Sequence, residues 1–285
     1  MNIDFKALKV SAQPQVLAAV LKLNNEDTEM SFHDLEKLLK TDQNMAAWIL
    51  KVANSPFYNR GNKIQTLKHA IGILGFKLVH SLCMVLTTKS IFAGGNYTRF
   101  KRFVWEHSVV TGIIARALAQ KLGQKENAEE VFVGGLLHDI GKAILNAVDR
   151  KKFIEVLDLA TGEEGQLFAD AEQQVFGYDH MQVGLQAANE WNLPAIFHGP
   201  IAYHENLDGA TDLDDDQKNL TYLVAYANFL ANKLGYGHHN EKYDSIGAAC
   251  ESYLKVDDAV RNYFAMNYDQ EIKKDDLYKS FFSMI

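Results

Sequence analysis

Cysteine and proline are scarce in this sequence, and each shortage narrows the class of protein. The two cysteines, Cys83 and Cys250, lie far apart in apolar, helix-like surroundings, which excludes a disulfide scaffold and any cysteine-based zinc or redox spacing. They read as reduced core thiols of a cytoplasmic protein. Only four prolines interrupt 285 residues, and the long apolar-polar periodic segments between them read as helices. No run of about 18 apolar residues occurs, so no membrane-spanning helix is expected. Residues Met1 to Lys6 lack a basic stretch followed by an apolar one, so no secretory signal is expected either. There is no basic excess: the formal net charge is −7, and the pairs Lys151-Lys152 and Lys273-Lys274 are short and interrupted by acids, which argues against a nucleic-acid partner.

A hydrophobic fraction of 47% is ample for a core. Residues 10–92 read as a first helical unit. Val16 to Leu23 and Phe32 to Leu39 give amphipathic helices, the second capped by Ser31. Asp42 caps a third helix, Gln43 to Ala53, which Asn54-Ser55-Pro56 stops. Thr66 starts another, Gly75 breaks it, and a long apolar helix runs on to about Phe92. Gly94-Gly95-Asn96 is the expected hinge to a core of residues 97–236, followed by a C-terminal helical extension of residues 237–285.

The chain's most informative stretch is Val131 to Lys142, an apolar helical run ending in His138, Asp139 and Lys142. Gly134-Gly135 costs roughly 1 kcal/mol of helix propensity per glycine relative to alanine, so another backbone or a ligand is expected to approach closely there. A buried carboxylate beside a buried imidazole needs a partner, and a metal ion would serve both. The pair His33-Asp34 provides an internal contrast: Ser31 and Asp34 read as a helix N-cap with an acid in the first turn. His107, His138, Asp139, His180 and His204 each fall on or at the end of a helix, an arrangement that a bundle can converge on one point. Zinc, iron or manganese would accept such a nitrogen-and-carboxylate set, in a mononuclear or dinuclear site bridged by Asp139.

The order of these residues resembles the HD-domain phosphohydrolases: a histidine, then His138-Asp139, a later histidine at His180, His204 before Glu205, and a polar position, Asn228, in the last long helix. The spacing from Asp179-His180 through Val183-Gly184 to Trp191-Asn192-Leu193-Pro194 and His204 is similar to the HDOD branch, and so are Lys40 to Tyr58, containing Ala53-Asn54-Ser55, and Ile64 to Gly75. The resemblance covers about residues 10–210. It implies an all-α, HD-domain-like multi-helix bundle with an N-terminal helical subdomain, in a bacterial signalling protein. It also implies metal ligation by His107, His138, Asp139, His180, His204 and Asn228, with Lys142, Asp139 and His180 in catalytic roles if the site hydrolyses phosphoesters.

Three departures bear on activity. Asn228 stands where HD hydrolases carry an aspartate, so one anionic ligand is lost, and residues 207–211 lack the Gly-Tyr-Pro signature of the related cyclic di-GMP phosphodiesterases. Phe103, four residues before His107, stands where some dinuclear members supply a glutamate. The expectation is therefore a non-catalytic or weakly catalytic regulatory module that binds a metal, a small phosphorylated ligand or a signalling protein, with a homodimer as one possible assembly. An active metal-dependent phosphohydrolase is the alternative, and a scaffold with purely structural histidines is the third reading. Lys142 serving only its helix C-terminus, and His204-Glu205 lying exposed beside the acidic segment 206–216, are the bland readings of those residues.

Overall fold

The structure is a computed structural model that describes residues 43–54, 58–59, 61, 63–76 and 98–275, apart from 163–164, 192 and 267, with a few isolated positions beyond these. The expected helix at 16–23, the Ser31 and Asp42 caps and the hinge at 94–96 lie outside the described residues; of the helices expected at 32–39 and running to Phe92, the described positions Leu35, Glu36, Leu39, Phe76, Val79 and Cys83 are helical. Among the described residues the fold is all-helical, without strands.

Among the described residues before position 98, two helices are complete: α1 (Gln43–Ala53) and α2 (Leu67–Leu74). Thr66 caps α2 by accepting the His69 N–H, and Gly75 ends it at φ +81°, as helix-boundary chemistry predicts. Asn54 joins the two helices. Its amide donates to the carbonyls of Leu50 (2.7 Å) and Ile64 (2.8 Å), and its oxygen accepts the Ile64 N–H (2.8 Å). The asparagine of the Ala-Asn-Ser motif is thus a clamp that closes the α1–α2 connection.

The core opens with a short helical turn (Thr98–Phe100), passes through a π-helical stretch (Lys101–Glu106) and continues as α3 (His107–Lys121). The helical run from Thr98 to Lys121 therefore carries a local widening, which ends just before His107. Then come α4 (Ala128–Leu137), α5 (Ile140–Val148), α6 (Arg150–Thr161), α7 (Phe168–Phe176), α8 (His180–Glu190), α9 (His198–Tyr203) and the long α10 (Asp215–Lys233). Among the described residues three helices follow: α11 (Tyr243–Leu254), α12 (Asp258–Ala265) and α13 (Tyr268–Lys274). The third is short and polar on its exposed face, so its sequence shows little periodicity.

Helix α4 is the buried axis, packed against α3 and α10. Val131, Phe132, Leu136 and Leu137 are wholly buried, as an all-round apolar helix requires. The glycines permit its close approach: a Cβ on Gly135 would lie 2.7 Å from Gly112 Cα, so α3 and α4 touch backbone to backbone. Segment Lys125–Val148 is long and apolar enough to cross a membrane, but 89% of its most apolar window is buried within the protein. The apolar run also does not continue as one helix. It breaks at His138-Asp139, which forms the junction between α4 and α5.

Candidate metal centre

Five helix termini converge on Asp139. Asp139 occupies the N-cap position of α5, yet its side chain caps no N–H group of that helix. An aspartate at an N-cap ordinarily turns to its own helix; this one turns into the protein interior and is fully buried. Oδ2 accepts a hydrogen bond from Lys142 Nζ at 2.8 Å.

Four imidazoles surround this carboxylate. His107 begins α3, just after the π-helical stretch, a feature frequent at functional sites. His138 ends α4, His180 begins α8 behind the capping box of Asp179 and Gln182, and His204 ends α9. The Nε2 atoms of His107 and His138 lie 3.7 and 3.4 Å from Asp139 Oδ2, and those of His180 and His204 lie 3.4 and 3.6 Å from Oδ1.

Each imidazole is fixed by its other nitrogen. The Nδ1 atoms contact the carbonyls of Tyr236 (3.1 Å), Gly135 (2.6 Å) and Pro200 (2.8 Å) for His107, His138 and His204, and Glu172 Oε2 (2.6 Å) for His180. A carbonyl only accepts, so Nδ1 carries the proton in three of the rings and Nε2 presents a lone pair. For His180, Glu172 also accepts the backbone N–H at 2.7 Å, which holds the ring and its helix start together.

Burial pushes His107 and His180 down to about 3, so both rings are neutral near pH 7. Burial lowers His138 as well. For Asp139 burial acts the other way, but its charge interactions with His138 and Lys142 hold it well below the usual carboxylate range. Lys142 is buried, lies 4.5 Å over the Phe168 ring, and is held above its ordinary value against burial by Asp139, Glu205 and Glu172. Burial raises Glu172 well above its ordinary value, opposed chiefly by the Lys142 charge.

The residues present fit a metal. Two triads, His107–His138–Asp139 and Asp139–His180–His204, each bring three ligand atoms within 4.8 Å of one another, and Asp139 belongs to both. His138 Nε2 and Asp139 Oδ1 are buried without a hydrogen-bond partner. His180 Nε2 and His204 Nε2 face each other at 3.3 Å. Orphaned acceptors such as His138 Nε2 and Asp139 Oδ1 are costly in a protein interior unless a cation lies among them, and imidazole with carboxylate suits zinc, iron or manganese.

Asn228 is buried on α10, and its oxygen accepts from Asn232 Nδ2 at 3.0 Å along the same helix. His204-Glu205 is not an exposed pair: the His204 side chain is wholly buried and that of Glu205 is 5% exposed. Lys142 does not serve its helix end but pairs with Asp139. Sequence reasoning missed Glu172, Tyr236 and Tyr243. Glu172 lies in a polar-looking segment, and only its spacing of four from the buried Phe168 puts it on the inner face of α7. A carbonyl acceptor such as that of Tyr236 leaves no side-chain signal at all.

A helical bundle whose His-Asp junction is ringed by histidines defines an all-α protein with a candidate metal site. The chain belongs to the HDOD domain family, whose model matches residues 10–207. An HDOD domain protein of unknown function from Geobacter sulfurreducens has a similar crystal structure, with TM-score 0.72 and 26% identity over 92% of this chain and 89% of that one. A Marinobacter aquaeolei VT8 structure, described as a candidate signal transduction protein, has TM-score 0.72 at 20% identity, covering 96% of this chain and 59% of that one. A Shewanella amazonensis SB2B structure, described as a candidate phosphohydrolase, has TM-score 0.65 at 21% identity over 92% and 93% of the two chains. An uncharacterised Treponema pallidum (strain Nichols) protein is 22% identical over 246 residues, 85% of this chain. The chain spans 46% of the length of that relative.

Proposed function

We propose that this chain is a signal-transduction module whose buried centre holds one or two divalent transition-metal ions as a structural and regulatory element, without turning over substrate. One observation carries the reading: the Nε2 atoms of four oriented histidines meet both oxygens of Asp139 in a site where no ligand residue exposes more than 3% of its surface. Closed sites of this kind are typical of structural metals, whereas catalytic ones keep a position open. His107, His138 and Asp139 would hold one ion, and Asp139, His180 and His204 the other. Lys142 is engaged with Asp139 rather than free to meet a phosphoryl group, and Asn228 contributes no charge. The output is a protein partner or a small phosphorylated ligand bound elsewhere on the chain, with self-association as one assembly.

A phosphohydrolase is the second reading, because each half of the centre supplies three ligand atoms and so leaves coordination positions for water and substrate. The metal, when bound, would supply Lewis acidity and a water of near-neutral pKa. Lys142 would then exchange Asp139 for a phosphoryl oxygen, and His180 would steady the same charge.

Elemental analysis of wild type beside Asp139→Ala, followed by a screen of phosphoesters and cyclic dinucleotides, tests both. Stoichiometric metal lost in the variant, without turnover by the loaded wild type, supports the first reading. Turnover abolished by Asp139→Ala supports the second, and a metal-free wild type overturns both.

A further inference from the structure

The acceptor that orients His107 comes from 129 residues further along the chain, beyond the family-matched region. It is the Tyr236 carbonyl, in a non-helical strap that leaves α10 and enters α11. The next residue is pressed against the same ring. A Cβ on Gly237 would lie 1.9 Å from Asn232 Oδ1 and 2.8 Å from His107 Nδ1, so a larger residue must displace the Asn232 side chain and shift the strap or the imidazole.

At its far end the strap reaches the opposite half of the centre. The Tyr243 hydroxyl, 4% exposed at the start of α11, donates to Glu205 Oε1 at 3.0 Å. That same oxygen is 3.8 Å from His204 Nε2. The second Glu205 oxygen is buried without a hydrogen-bond partner. Midway, Asn240 Nδ2 donates to the Gly165 carbonyl at 2.7 Å and pins the strap to the α6–α7 connection.

The strap is tied in turn to the C-terminal helices. The Tyr236 hydroxyl donates to Asp269 on α13 at 2.6 Å. Tyr278 packs edge-on to Tyr236 and donates to Glu106, the residue before His107, at 2.9 Å. Undocking this extension would therefore remove the His107 acceptor, release Glu106 and strip Glu205 of its donor together.

We propose that the strap 236–243 is the fourth wall of the centre and positions His107 and Glu205, so that metal binding and docking of the C-terminal helices are coupled. The inference rests on the metal-binding reading above. Coupling of this kind is reciprocal: an ion that needs an oriented His107 favours the docked strap, and a partner that pulls on α11 or α13 weakens the ion's hold. The hydroxyl of Tyr243 and the backbone at Gly237 are positioning elements rather than ligands.

The test uses the full chain with Mn2+ as probe. Amide hydrogen exchange is followed across 236–243 and 268–274 with and without the ion, and Mn2+ affinity is measured by chelator competition for wild type, Gly237→Ala and Tyr243→Phe. Mn2+ is expected to slow exchange in both segments by about tenfold, within the usual range of site-to-site coupling. Gly237→Ala should weaken Mn2+ binding by about tenfold, as loss of a ligand's orienting partner typically does, and Tyr243→Phe by a few-fold. Should Gly237→Ala fail to fold, Tyr243→Phe and the wild-type exchange decide. Exchange insensitive to bound Mn2+, or variants that lose stability but keep affinity within twofold, overturn the coupling and leave the metal reading intact. A wild type that binds no metal overturns the metal reading itself.

Discussion

His180 and His204 meet nitrogen to nitrogen, their Nε2 atoms 3.3 Å apart, while the Nδ1 of one contacts a carboxylate and that of the other a main-chain carbonyl. Two lone pairs aimed at each other in a sealed interior repel unless a cation or proton lies between them.

Asp139→Asn keeps the shape of the carboxylate but leaves Lys142 buried without its counter-ion. Removing one partner of a buried pair costs about 3–5 kcal/mol, so urea denaturation should show a loss of that order. Adding Lys142→Met should restore much of the stability but no metal content. Recovery of metal by the double variant would contradict the role given to Asp139.

Glu172→Ala removes the acceptor of both the His180 ring and its backbone N–H. Orienting partners of this kind are worth 10–100-fold in metal affinity, so a fall in affinity of about that size is expected by chelator competition. Glu172→Gln, which retains an acceptor oxygen, should lose less. Equal losses in the two variants would show that charge, not orientation, is what Glu172 supplies.

Stability should fall on mild acidification of chelator-treated protein. His107 and His180 protonate near 3 in the folded chain but near the ordinary 6.5 when unfolded. Between those values the unfolded state binds more protons, so stability is complete above about 6.5 and declines as pH drops toward 3. The slope approaches ~1.4 kcal/mol per pH unit for each histidine. Unfolding free energies at pH 7, 6 and 5 check this; a flat profile would mean the rings are accessible to protons when folded.

Gly135→Ala and Gly134→Ala should differ sharply although the residues are neighbours on α4. A Cβ at 135 meets the Gly112 backbone at 2.7 Å, whereas one at 134 meets the Val224 methyl at 3.1 Å. Overpacking costs typically ~1–3 kcal/mol, offset at either site by up to ~1 kcal/mol of helix propensity. Thermal melts should show Gly135→Ala clearly destabilised and Gly134→Ala near neutral.

Local chemistry was readable in advance. The bounds of α1, the Thr66 and Gly75 ends of α2, and the Asp179 cap all depend on residues within one turn of the boundary. So was the tendency of the histidines to cluster, because their order along the chain matches that of the HDOD family. The break at His138-Asp139 was not, since an apolar run and a following polar pair look alike whether the helix stops or continues.

The sequence by itself determined most of the helices and their caps, because these depend on side chains a few positions apart. Tertiary structure decided what the titratable residues became. It set the tautomers of His107, His138 and His204 through distant or local carbonyls, engaged Lys142 with Asp139, buried Glu205 under Tyr243 and brought Glu172 beneath His180. Each of these depends on which helix faces which, a choice made by backbone contacts such as Gly112 on Gly135 that no residue pattern along one helix contains.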